Sequence, residues 1–203
     1  MRKKRYSHML VTTCVSVVVF AVISVCCRGN EGEDKLAFGS LVKPEFREKV
    51  RQIAKELDVD ANSLMTVMAI ETSRPKGDGV EYTFDPAIQN PGSSAVGLIQ
   101  FTKKTAEGLG TTTDAIKKMS AVEQLEYVKK YLATYKGRMK NVEDAYFAVF
   151  YPAAIGKSDD FVLPDSVYGP NKGLDKNSDG KLSRGEIAEF VKKTLERGRK
   201  RAD

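Results

Sequence analysis

Histidine, cysteine and tryptophan are scarce in this chain of 203 residues, which has one His, three Cys and no Trp. His8, Cys14, Cys26 and Cys27 all lie near the N-terminus, so nothing after residue 27 carries a thiol or an imidazole. In that longer part a Ser-His-Asp triad, a Cys-His pair, a Cys- or His-ligated zinc site and a disulfide are all excluded. Carboxylates, hydroxyls and amides must do its chemistry. A broad basic field is missing as well. The net charge of +6 draws five of its positive charges from Arg2, Lys3, Lys4, Arg5 and Arg28, which leaves about +1 for everything from Gly29 onward and argues against nucleic acid as a partner. A local group at Arg197, Arg199, Lys200 and Arg201 reads as a solvated, fraying helix end.

Long apolar runs are confined to the N-terminus. Four cations in Met1–Arg5 precede Tyr6–Cys27, which is rich in valine and holds no Asp, Glu, Lys or Arg. This is the pattern of an export signal, and it is also just long enough to span a bilayer. Three outcomes stay open: cleavage among Val22, Ser24 and Cys26; retention as an anchor with the positive end inside; or lipid on Cys26 or Cys27, which the preceding Val25 or Cys26 fits less well. Residues 1–28 are therefore a signal peptide or membrane anchor. Residues 29–43 mix Gly, Glu, Asp and Lys without periodicity and read as a linker. The rest is expected on the extracytoplasmic side, in the cell envelope.

Within that part the chain reads as mostly α. Helices are predicted over 44–57, 60 or 62 to 71, 102–109, 112–119, 120–135 and 142–151, with Pro44 suited to a first turn and Ser120 and Glu123 spaced as a capping box. Strand signals are limited to 81–84 and 96–101. A small hairpin beside the second helix is expected.

Glu71 closes the apolar run Leu64–Ile70 and shares a helical face with Leu64, Val67 and Met68. Burial there would raise its pKa toward neutrality, as a general acid requires. Taken alone, it is equally a helix-terminal glutamate turned to water. The sequence that follows narrows the choice. A polar loop leads to Ser94-Ala95-Val96-Gly97-Leu98-Ile99-Gln100-Phe101, and Tyr151-Pro152-Ala153-Ala154-Ile155-Gly156 comes later.

Glu71-Thr72 with the Ser94–Gln100 block resembles the lytic transglycosylases of the lysozyme-like superfamily, of the SLT type. Members show Glu-Ser, then Gly-Ala-x-Gly-Leu-Met-Gln, then Ala-Tyr-Asn-Ala-Gly-x-Gly. The resemblance covers roughly residues 44–163, and 111–131 is most similar to a phage-associated branch. The third block departs from the pattern, with Pro152 in place of Asn and Ala154 in place of Gly. The resemblance implies a lysozyme-like domain that cleaves the MurNAc-GlcNAc bond of peptidoglycan, with Glu71 as catalytic acid and base and with Gln100, Tyr151 and Ser94 at the substrate. It also implies 1,6-anhydro products and no catalytic cofactor. A hydrolytic muramidase would need a second acid, for which Asp78, Glu81 and Asp85 are candidates without a fixed place. A non-catalytic glycan-binding envelope protein, shaped by calcium, is the alternative from another class.

A second motif lies in residues 175–186. Asp175, Asn177, Asp179, Lys181 (through its carbonyl), Ser183 and Glu186 fall at positions 1, 3, 5, 7, 9 and 12 of the EF-hand calcium loop, with Gly180 at position 6 and Leu182 at position 8. Gly169 and Pro170 argue against an incoming helix, so the loop is read as isolated, with one exiting helix over 183–197 and a structural Ca2+. Residues 164–203 thus form a calcium-loop extension of a protein expected to be monomeric.

Overall fold

The computed structural model describes residues 35–89 and 92–203. The N-terminal apolar segment, His8 and all three cysteines lie outside the described residues. Eight α-helices are described: α1 Pro44–Leu57, α2 Ala61–Glu71, α3 Lys103–Gly108, α4 Thr113–Lys118, α5 Ala121–Leu132, α6 Val142–Phe150, α7 Asp165–Asn171 and α8 Arg184–Arg199. The fold is mostly α. Among the described residues no helix is long and apolar enough to cross a membrane.

Local chemistry accounts for the helix starts. Pro44 opens α1, where its missing N–H costs nothing. Asp60 begins α2 by accepting the Asn62 N–H at 2.9 Å. At α5 the Ser120 N–H reaches Glu123 Oε2 at 2.7 Å while Ser120 Oγ accepts from the Glu123 N–H at 3.3 Å, closing the expected capping box. Helix α2 is the centre of the core. Every residue from Ser63 to Ala69 is buried, and the helix packs on α1, α6 and α8. Its apolar run has no solvent face, and truncating Leu64 or Met68 would cost about 2–5 kcal/mol.

Immediately after α2, β1 (Ser73–Lys76) and β2 (Gly79–Tyr82) pair antiparallel, Ser73 opposite Tyr82 and Lys76 opposite Gly79. Thr72 fixes this junction. Its hydroxyl donates to the Met68 carbonyl at 2.7 Å and accepts from the Phe84 N–H at 3.1 Å, while its carbonyl accepts from Thr83 Oγ1 at 2.8 Å. The expected strand over 96–101 does not form. Val96 and Phe101 exchange N–H bonds at 3.1 and 2.8 Å across a tight turn, and Val96, Leu98, Ile99 and Phe101 bury into the core instead of onto a sheet.

Two further expectations need correction. Residues 36–38, assigned to the linker, are not a tether. Leu36, Ala37 and Phe38 are fully buried, and the Phe38 N–H donates to the Gly198 carbonyl at 2.8 Å. Their apolar character was diluted by charged neighbours in the sequence and becomes evident only beside the last turn of α8. The loop at 175–186 also has an incoming helix. Helix α7 runs through Gly169 and Pro170, because Pro170 falls near its end and the Asn171 side-chain amide donates to the Val167 carbonyl at 2.8 Å.

One buried ion network joins α8 to the core. Arg184, 7% exposed, donates to Asp144 at 2.9 Å, to Asp159 at 2.7 Å and to the Ala154 carbonyl at 3.2 Å. Its guanidinium also lies 5.3 Å from the Phe147 ring centroid. Because Asp144 is carried by α6, the network holds α6 and α8 in a set relation.

Candidate active site

Glu71 is the last residue of α2 and lines a cleft of about 650 Å³. The hairpin contributes Ser73, Arg74 and Pro75, the segment before residue 90 contributes Ile88 and Gln89, and the 96–101 turn contributes Gln100. Tyr146 and Phe150 of α6 and Asn171 of α7 complete the wall. The Tyr146 and Phe150 rings stack with centroids 5.3 Å apart, an apolar part of the same wall.

The electrostatic consequence is specific. Burial raises the Glu71 pKa from 4.5 to about 7, since a low-dielectric surrounding disfavours the charged form. A substantial fraction of the group is therefore protonated at neutral pH, while its partial exposure keeps it reachable from the cleft. Tyr146, 6% exposed, has its phenol pushed well up by burial and then by the nearby Glu71 charge. It stays protonated and able to donate.

Glu71 is the one carboxylate lining the cleft among the described residues. The three other acids considered from sequence lie elsewhere. Glu81 pairs with Lys76 at 2.7 Å, which lowers its pKa, and Asp85 faces Arg74 at 3.7 Å. Asp78 lines a separate cavity with Tyr82, Arg197 and Arg201. A smaller cavity of about 220 Å³ lies beside Leu41, Glu45, Phe46, Phe84 and Val122.

The residues expected at the substrate divide. Gln100 lines the cleft, with its amide donating to the Gly97 carbonyl at 3.1 Å. Ser94 does not; its exposed hydroxyl accepts from the Lys103 N–H at 3.3 Å at the start of α3. Tyr151 is the C-cap of α6 and packs partly buried against the core, away from the cleft. The cleft tyrosine is Tyr146. The segment Ala145-Tyr146-Phe147-Ala148 reads Ala-Tyr-x-Ala, a spacing that singles out Tyr146 where a reading centred on Tyr151 does not.

Gln124 is a second residue that sequence reasoning missed. Fully buried on α5, it accepts the Leu98 N–H at 3.0 Å and donates to the carbonyls of Pro86 at 2.7 Å and Ile116 at 2.8 Å. It thereby fixes the turn that presents Gln100. Its motif partner is Gly97, whose φ of 80° suits glycine.

In the 175–186 loop, side-chain oxygens fold back on the backbone. Asp175 accepts from the Ser178 and Gly180 N–H groups at 2.7 and 3.0 Å, and Gly180 has a φ of 78°. Glu186 accepts from the Lys176 N–H at 2.8 Å and the Ser183 N–H at 2.9 Å. The charges of Asp175, Asp179 and Glu186 all act on the Tyr168 phenol, which donates to Asp175 at 3.0 Å. Leu182 accepts the Leu163 N–H at 2.9 Å through its carbonyl and buries its side chain. No cluster of three or more His, Cys, Asp or Glu suited to a metal occurs among the described residues; the other oxygens in this loop belong to Asn177, Ser178, Ser183 and the backbone. No family model, curated protein or solved structure matches the chain.

Proposed function

We propose that this chain is an envelope-located lytic transglycosylase of the lysozyme-like type, acting on peptidoglycan glycan strands. The observation that carries the reading is a single cleft carboxylate, Glu71, buried enough for its pKa to rise to about 7. In the first step protonated Glu71 gives its proton to the glycosidic oxygen as the C1–O bond breaks, and the substrate's N-acetyl group stabilises the oxocarbenium-like carbon. In the second step the Glu71 carboxylate takes the proton of the muramic acid C6 hydroxyl while that oxygen bonds to C1. Glu71 ends reprotonated by the C6 hydroxyl proton, the first proton leaves on the departing sugar's hydroxyl, and a 1,6-anhydro ring forms without water.

This route requires one acid, and among the described residues the cleft provides one. Hydrolysis would need a second carboxylate to activate water or attack C1, and Asp78, Glu81 and Asp85 do not line the cleft. Tyr146 and Gln100 supply hydrogen-bonding groups within it. The test is digestion of cell-wall sacculi by wild type and Glu71→Gln, with mass spectrometry of the products. Wild type should release 1,6-anhydro ends and the variant should lose at least about 10²-fold of the rate. Reducing ends would establish a muramidase instead, and an undiminished, folded variant would remove Glu71 from the chemistry.

The loop at 175–186 fits calcium in its donor chemistry. Asp175, Asn177, Asp179, the Lys181 carbonyl, Ser183 and Glu186 would hold the ion, all through oxygen. The return of the Asp175 and Glu186 carboxylates onto the loop's own N–H groups favours this fit. Calcium would supply charge neutralisation and tie the loop to the first turn of α8, which carries Glu186. Its role would be structural.

A further inference from the structure

We infer that Arg74 reads a carboxylate carried by the glycan strand, making the cleft selective for acidic over uncharged glycans; the inference rests on the glycan-cleaving reading above. Arg74 and Glu71 are the two charged side chains lining the cleft among the described residues. Burial is what shifts Glu71, so Arg74 is not holding that acid in its ionised form. When Glu71 carries its proton, Arg74 is the one charged side chain lining the cleft among the described residues.

The guanidinium is also poorly occupied by its own protein. Its ion-pair partners, Glu81 and Asp85, lie at 3.8 and 3.7 Å, beyond hydrogen-bond distance. Glu81 already takes a short bond of 2.7 Å from Lys76. The Arg74 side chain is 50% exposed and is carried on β1, three residues past the catalytic acid. A planar fork of donors with no short acceptor, half in solvent at the cleft wall, suits bidentate capture of a carboxylate. On a glycan strand such a carboxylate comes from two sources: the lactyl group where no peptide is attached, or the peptide stem where one is.

Binding measurements separate these sources and separate this inference from the catalytic reading. Glu71→Gln and Glu71→Gln/Arg74→Met are titrated calorimetrically with three soluble strands: stem-bearing, stem-free with free lactyl carboxylates, and stem-free with those carboxylates amidated. Loss of Arg74 should weaken at least one acidic strand by roughly 3- to 10-fold, the scale of one partly solvated charge-assisted contact, and leave the amidated strand unchanged. The acidic strand that loses affinity identifies the source. Arg74→Lys in the same background should recover part of the loss, because it restores the charge without the fork. Equal losses on all three strands, or no loss on any, would overturn the inference while leaving the glycan reading standing. If Glu71→Gln binds none of the strands, both fall.

Discussion

The carboxamide of Gln124 occupies the space into which a β-carbon at residue 97 would project, with Gln124 Cδ 3.0 Å from that position. Gly97 and Gln124 therefore form one device: the glycine lets the turn pass close enough for Gln124 to take the Leu98 N–H. Gly97→Ala should destabilise the protein by about 1–3 kcal/mol through its positive φ and this overlap. Gln124→Glu should cost more, since a carboxylate would face the Pro86 and Ile116 carbonyls that the amide now serves as donor. Urea denaturation checks both, and tolerance of Gln124→Glu would refute the pinning role.

Stability should depend on Glu71 in a defined pH window. Folding raises its pKa from 4.5 to about 7, so the folded chain holds the proton more tightly than the unfolded chain. The stability linked to that proton is fully present below pH 4.5 and is lost as pH rises through about 7. Glu71→Gln lacks this dependence. Matched to wild type at low pH, the variant should become the more stable protein above pH 8 by on the order of 3 kcal/mol. Chemical denaturation at both pH values checks the sign.

The same group sets an activity limb. Protonation of the glycosidic oxygen needs the neutral acid, so kcat/KM for wall cleavage should fall as pH rises past about 7. A profile flat through pH 9 would be incompatible with Glu71 as the acid.

Tyr146 and Tyr151 should respond differently. Tyr146→Phe removes a hydroxyl close enough to sense the Glu71 charge and should lower kcat by roughly 10-fold or more. Tyr151→Phe alters a residue packed outside the cleft and should leave the rate within about 2-fold. Turbidity clearance of sacculi ranks the two variants, and the reverse order would restore Tyr151 to the site.

Calcium should stabilise the chain. A dissociation constant on the order of 10⁻⁵ to 10⁻³ M is expected from the loop's three acids. A hundredfold excess would then add about 2.7 kcal/mol, seen as a rise in melting temperature of several degrees. Glu186→Gln should remove most of that rise; the absence of any calcium effect on wild type at millimolar concentration would reduce the motif to a turn.

Features whose causes lie within a few residues were legible from the chain alone. The Ser120–Glu123 box, Pro44 at the head of α1, the burial of the run ending in Glu71 and the oxygen spacing of residues 175–186 depend on short loops of chain, and each forms as its local pattern requires. The rest depends on packing between distant segments. Gln124 acts on Leu98 across 26 residues, Phe38 leaves a polar stretch to meet Gly198, and Asn171 comes from the C-terminal region to the cleft of Glu71. Tyr146 and Tyr151 lie on the same segment, five residues apart, yet only the first faces the acid, because helix α6 ends at Phe150 and Tyr151 turns out of its register. Which partner a side chain meets at long range depends on how helices pack, and no spacing within one segment encodes that.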